Sequence, residues 1–181
     1  MLLQVNIYLK VLMPAKKQLR KAVCVLAKNK ANVHAVIKFI EYPQTPDCPR
    51  KVKISYDITG LQDGLHGFHI HEYGDLTEGC MSSCAHFNPY GVVHGGRHSK
   101  IRHVGDLGNI KSASKVAKGT FTDKIISLNP RTKCSIIGRC VVIHAHEDDL
   151  GQGNDKESRI TGTAGKRVAC GVIGWSKKMF H

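Results

Sequence analysis

The histidines of this 181-residue chain are unevenly placed: seven of the eleven fall between His66 and Asp106. In Gly67-Phe68-His69-Ile70-His71, apolar and imidazole side chains alternate. On a β-strand, Phe68 and Ile70 would then face one side and His69 and His71 the other. Two imidazoles one residue apart on the same face can grip a single ion. The stretch that follows adds His86, His94, His103 and Asp106, and His144 lies further on. Many nitrogens with one carboxylate suit zinc or copper, whereas calcium and magnesium take oxygen ligands. Taken alone, His69 and His71 read as an ordinary pair on a strand edge. The number and kind of the other donors argue against that reading.

Several motifs then share one order: Gly67–Asp75, His86-Phe87-Asn88-Pro89, His94-Gly95-Gly96, Arg102–Asn109 and Ala164–Gly174. Together they resemble the copper,zinc superoxide dismutase family, over a span from about Lys21 to about Trp175. The resemblance implies one copper and one zinc per subunit. Copper would be held by His69, His71, His86 and His144, with His86 bridging to a zinc completed by His94, His103 and Asp106. It implies dismutation of superoxide to oxygen and hydrogen peroxide, with His86 carrying a proton and Arg167 docking the anion. Asp148 would hydrogen-bond one copper and one zinc histidine, an outer role that orients the ligands. Cys80 and Cys170 would form a disulfide. Closing a loop of about ninety residues stabilises by roughly 4–5 kcal/mol in the chain-entropy model. An all-histidine set tolerates both oxidation states of copper, while three histidines and an aspartate suit redox-inert zinc.

These residues need a rigid frame. Abundant glycine and the absence of any long helical period favour an all-β domain. The reading is a Greek-key β-sandwich or flattened barrel of about eight strands with two long functional loops, 74–106 and 145–166. Strands are expected at Ala22–Leu26, Val33–Ile40, Val52–Ile58, around His69 and His71, and at Leu107–Ile110, Lys115–Thr122, Gly138–His144 and Val168–Ile173. A turn at Lys28-Asn29-Lys30, a loop at Tyr42–Arg50 and a turn at Gly60–Gly64 would join them. The domain would cover 21–178, preceded by an extension over 1–20 that is a strand or a disordered arm, with Met13 as an alternative start.

The net charge is +13. No aromatic-interleaved basic motif points to nucleic acid. No segment is apolar enough to suggest a membrane span, and the first residues make a poor signal peptide, so a cytoplasmic enzyme is expected. The preferred partner for the charge is a small anion, steered by Lys156 and Arg159 at range and by Arg167 nearby. Where many relatives carry a Glu-Glu pair and a lysine, this chain has Lys156-Glu157 and Ile160. Some relatives that require a copper chaperone carry proline close before the final motif cysteine; this chain has Lys166 and Val168 flanking Arg167 instead, so the resemblance implies copper loading without strict need of a chaperone. Val23, Ile137, Gly138, Val172, Gly174 and Trp175 match the family's two-fold interface and predict a homodimer.

His66 is expected to support its strand by hydrogen bonding, and His34, His98, His146 and His181 to lie on the surface. Cys84 could compete with its neighbour for Cys80, while Cys24, Cys48, Cys134 and Cys140 read as buried small hydrophobes or thiols. Two rival readings are a noncatalytic copper-delivery module and a basic interaction protein with a structural metal. The complete ligand set and Arg167 favour the enzyme.

Overall fold

The computed structural model describes residues 19–26, 32–44 and 50–177. Eight strands form it: β1 (Arg20–Leu26), β2 (His34–Tyr42), β3 (Lys51–Thr59), β4 (Gly64–His71), β5 (Asp106–Ser112), β6 (Val116–Asp123), β7 (Cys140–His144) and β8 (Arg167–Trp175). The expected turn at 28–30, most of the extension over 1–20, Cys48 and His181 lie outside the described residues.

All pairings are antiparallel, in the order β5-β4-β7-β8-β1-β2-β3-β6. β5 and β6 lie at the two ends of that order yet are joined by a tight turn carrying an Ala113–Val116 bridge, so the barrel nearly closes there. The connections β3→β4 and β6→β7 cross between the two halves, which gives the Greek-key path expected from the sequence.

Alternation sets which way each strand faces. In β2, Ala35, Ile37 and Phe39 are buried while His34, Val36 and Lys38 are exposed. β4 and β7 differ, because both of their faces are covered. Phe68, Ile70, Val141 and Ile143 join the core, and His69, His71, Val142 and His144 lie buried on the other face. Burying Phe68 and Ile70 is worth roughly 1.5–3 kcal/mol each. A one-residue slip would place them outside and the histidines in the core, so this alternation pins the register.

Several strand bounds differ from those the sequence pattern suggested. β2 reaches Tyr42 because Glu41 sits at an inward position, where it accepts hydrogen bonds from Ser127 Oγ at 2.6 Å and Arg20 Nη1 at 3.1 Å. A carboxylate there reads as a loop until its partners are seen. β7 begins at Cys140 and not at Gly138, which has φ 78° and ends the preceding loop. Gly64 opens β4 and does not end a turn.

Candidate metal centre

Two long segments, 72–105 and 145–166, cover the outer face of β4 and β7 and bring the remaining donors onto it. One donor atom from each of His69, His71, His86 and His144 lies within 4.8 Å of the others, and the same holds for His86, His94, His103 and Asp106. All seven side chains are buried. His86 belongs to both groups.

Except for His86, which belongs to both groups, each ring has one nitrogen anchored and the other turned toward its group. His69 Nε2 donates to Asp148 Oδ2 at 2.8 Å, His71 Nδ1 to the Cys84 carbonyl at 2.8 Å, and His144 Nδ1 to the Gly165 carbonyl at 3.0 Å. His94 Nε2 donates to Asp148 Oδ1 at 2.8 Å, and His103 Nε2 to the Val92 carbonyl at 3.0 Å. Asp148 thus ties a residue of one group to a residue of the other. Anchoring of this kind fixes the tautomer and the direction in which the free nitrogen points.

The free atoms test whether metals fit. His69 Nδ1 and His86 Nε2 are fully buried with no hydrogen-bond partner. Such orphans are costly unless an ion satisfies them. His71 Nε2 and His144 Nε2 face each other at 3.3 Å. In the second group, the Nδ1 atoms of His86, His94 and His103 stand 2.9, 3.0 and 3.1 Å from the single oxygen Asp106 Oδ1. His94 Nδ1 is close to that oxygen but not aligned to donate to it, and it too is orphaned. Zinc bonds of 2.0–2.2 Å in a tetrahedron would separate donors by about 3.3 Å. The second group therefore fits zinc, and the four-nitrogen group fits copper.

Charge follows from burial. Burial holds His69 down to about 3, with positive charge on His86 adding to it and Asp148 only partly opposing. It holds His144 down to about 4 against the Gly165 hydrogen bond, and it lowers His71 and His86 as well. These rings stay neutral, which is the form that binds metal. Burial disfavours a charged His94, yet Asp106 and Asp148, one near each nitrogen, outweigh it and raise the ring to about 9. Asp106 and Asp148 are lowered: burial would raise both, but the surrounding imidazole hydrogen bonds prevail.

Above the four-nitrogen group opens a cleft of about 720 Å³ whose floor is lined by buried His71, His86 and His144, while His69 is sealed beneath. Its wall carries Met81, Glu157, Thr161, Lys166 and Arg167. Arg167 donates to the carbonyls of Cys80 at 2.7 Å, Met81 at 3.2 Å and Cys84 at 2.6 Å, and to Ser83 Oγ at 3.3 Å. The Cys80–Cys170 disulfide ties the same loop to β8. Cys84 is free and exposed; Cys24, Cys134 and Cys140 are free and buried. Lys156 and Arg159 are exposed but do not line the cleft. His66 behaves as read, with Nδ1 2.8 Å from the His144 carbonyl and Nε2 2.8 Å from the Gln62 carbonyl. His34, His98 and His146 are exposed.

Two supporting residues escaped the sequence reading. Asn109 Nδ2 donates to the Asp148 carbonyl and Asn109 Oδ1 accepts the Asp148 N–H, both at 2.8 Å, so it clamps that residue's backbone. Buried Arg102 donates to the carbonyls of His103, Val104 and Asp106 and pairs with Asp123. A charged residue beside a ligand motif was the only available signal for Arg102. Nothing local marked Asn109.

Comparison with known proteins gives consistent results. A family model described as copper/zinc superoxide dismutase matches residues 33–173. A Cu-Zn superoxide dismutase of Paramecium bursaria Chlorella virus 1 is 52% identical over 162 residues, covering 88% of this chain and 82% of the relative. Superoxide dismutase [Cu-Zn] A of Xenopus laevis is 50% identical over 155 residues, 86% of this chain and 97% of the relative. An extracellular Cu-Zn enzyme of Drosophila melanogaster is 54% identical over 129 residues, 71% and 70% of the two chains. Among solved structures, the clock protein EA4 superimposes with a TM-score of 0.76 at 43% identity, covering 86% of this chain and 94% of its own.

Proposed function

This chain belongs to the copper/zinc superoxide dismutase family and dismutates superoxide with copper and zinc, and we propose a definite role for each residue of its centre. The bound metals supply one-electron exchange at copper, which turns one superoxide into oxygen and a second into peroxide, and a fixed charge at zinc.

His69 Nδ1, His71 Nε2, His86 Nε2 and His144 Nε2 are the copper donors; the Nδ1 atoms of His86, His94 and His103 with Asp106 Oδ1 are the zinc donors. The observation that carries this reading is that the free nitrogens converge while the opposite ones are anchored. His86 moves the proton. Its Nδ1 is held at 2.9 Å from Asp106 Oδ1, so Nε2, whenever its lone pair is not given to the metal, would be the atom that takes a proton at the cleft and releases it to departing peroxide. Asp148 orients His69 and His94 together. Arg167 binds the incoming oxygen anion: its guanidinium is always charged and its position is fixed by four acceptors.

The proposal extends to the assembly and the setting. Exposed Val172 and Trp175, with Val23 paired to Gly174 on the neighbouring strand, form an apolar patch suited to a homodimer. Copper loading without strict need of a chaperone and a domain over 21–178 preceded by an extension over 1–20 belong to the same reading. Among the described residues no helix is long and apolar enough to cross a membrane. Cytoplasmic residence is the proposed setting, and cell fractionation decides it against the extracellular alternative that one relative's name raises.

Metal analysis joined to a superoxide-removal assay tests the assignments. Asp106→Ala is expected to lose zinc and keep copper, and His71→Ala to lose copper and activity and keep zinc. Retention of both metals in both variants would refute the donor assignments.

A further inference from the structure

We propose that Lys166 captures the incoming anion at the mouth of the cleft and passes it to Arg167, a specificity-determining role that rests on the reading of Arg167 above. Apart from the histidines, the charged side chains lining the cleft among the described residues are Glu157, Lys166 and Arg167. Arg167 is half-buried and tied down by the carbonyls of Cys80, Met81 and Cys84, so it meets an anion only after entry. Lys166 is exposed, and its root is fixed. Its carbonyl accepts the Ala145 N–H at 2.7 Å, and the carbonyl of the preceding Gly165 anchors His144 Nδ1 at 3.0 Å. A strongly hydrated charge on a flexible four-carbon stem, rooted beside a copper ligand, suits capture and hand-over.

Among the described residues, other exposed cations stand off the cleft's lining. Lys38 and Lys53 stand exposed on β2 and β3, which lie opposite β4 and β7 in the barrel order. Two sheets about 10 Å apart, with side chains on both sides, exceed the screening length of about 10 Å at 0.1 M salt. Asp75, Glu78, Asp155 and Glu157 are exposed on the loops that border the cleft, so the local field is not basic by default. Lys156 and Arg159 do not line the cleft, and Ile160 exposes an apolar side chain. Among the described residues, Lys166 and Arg167 are the lysine and arginine that line the cleft. A lone ammonium there favours a superoxide anion over the neutral peroxide that must leave.

The test compares Lys166→Glu, Lys166→Gln and Lys166→Arg, each carrying wild-type copper and zinc, from about 10 mM to about 0.5 M salt. Lys166→Glu is expected to lower kcat/KM for superoxide about two- to fourfold at low salt, with the gap closing as salt rises. Lys166→Gln should fall between, and Lys166→Arg should match wild type. Azide affinity of the copper-loaded protein, read from visible absorption, should drop by a similar factor in Lys166→Glu. Lys156→Glu should move neither readout. A wild-type rate and salt response in Lys166→Glu, or an equal loss in Lys166→Arg, overturns the proposal. If Arg167→Gln still lowers the rate in that case, the Arg167 reading stands alone; if Arg167→Gln is silent as well, anion docking at Arg167 fails with it.

Discussion

Arg167 lies directly across the β7–β8 pair from His144 because the ladder skips Val168. Ile143 pairs with Ala169, and the next partner of β7 is Arg167. A bulge of this kind re-aims a side chain at the end of a strand. Here it sets the guanidinium beside His144, where the loop carbonyls hold it. Arg167→Lys cannot reproduce a planar fork of donors. Hydrogen bonds to a charged group are worth about 1.5–3 kcal/mol, so kcat/KM is expected to fall about tenfold or more, with copper content unchanged. Equal rates at matched metal content would contradict this.

Gly162 has φ 70°, and a Cβ there would overlap Asp148 Oδ1 and His94 Nε2. Gly162→Ala should therefore disturb the carboxylate that ties the two ligand groups together. Loss of a supporting partner typically costs 10–100-fold in metal affinity. Zinc titration against a competing chelator should show a loss of about that size.

Cys84 adopts φ 63° and ψ −145°, a conformation that suits glycine, while its carbonyl serves both His71 Nδ1 and Arg167 Nη2. Such strain costs roughly 1–3 kcal/mol, and a glycine there loses about 0.5–1 kcal/mol in chain entropy. Cys84→Gly should gain about 1 kcal/mol and raise Tm by about 2–4 °C. A lower Tm would show that the thiol contributes more than the backbone loses.

The metal-free protein should be most stable near pH 6.5. His69 and His144 fall from 6.5 to about 3 and about 4 on folding. Below pH 6.5 the unfolded chain takes up protons that these folded rings refuse, so stability declines as pH falls toward that range. His94 rises from 6.5 to about 9. Its contribution is fully present below 6.5 and is lost as pH climbs through 9. Denaturant midpoints of the metal-free protein between about pH 4 and about pH 9.5 should peak near neutrality; a monotonic rise or fall would contradict these assignments.

The clustering of these histidines with Asp106 was legible because histidine is a strong donor and its placement on β4 follows a strand period that only one register satisfies. His66 could be read as a support for the same reason. Asn109 could not, since its partner, the backbone of Asp148, lies 39 residues away and no local pattern records which loop lands on which strand. Lys166 was passed over for Lys156 and Arg159 because charge in a sequence carries no direction; only the folded loop shows which cations line the cleft. Glu41 hid the end of β2, and the strain at Cys84 is invisible without dihedral angles.

The central claim is that superoxide removal depends on copper held by the converged nitrogens of His69, His71, His86 and His144. His69 is the most direct probe, because its Nδ1 is fully buried and without a partner, and its loss leaves all three zinc histidines and Asp106 in place. Copper and zinc content and superoxide-removal rate should be measured together on wild type and His69→Ala. The account predicts about one copper and one zinc per wild-type subunit, and a folded variant that keeps zinc but loses activity along with copper. Full activity in His69→Ala, or in wild type stripped of copper, would contradict it.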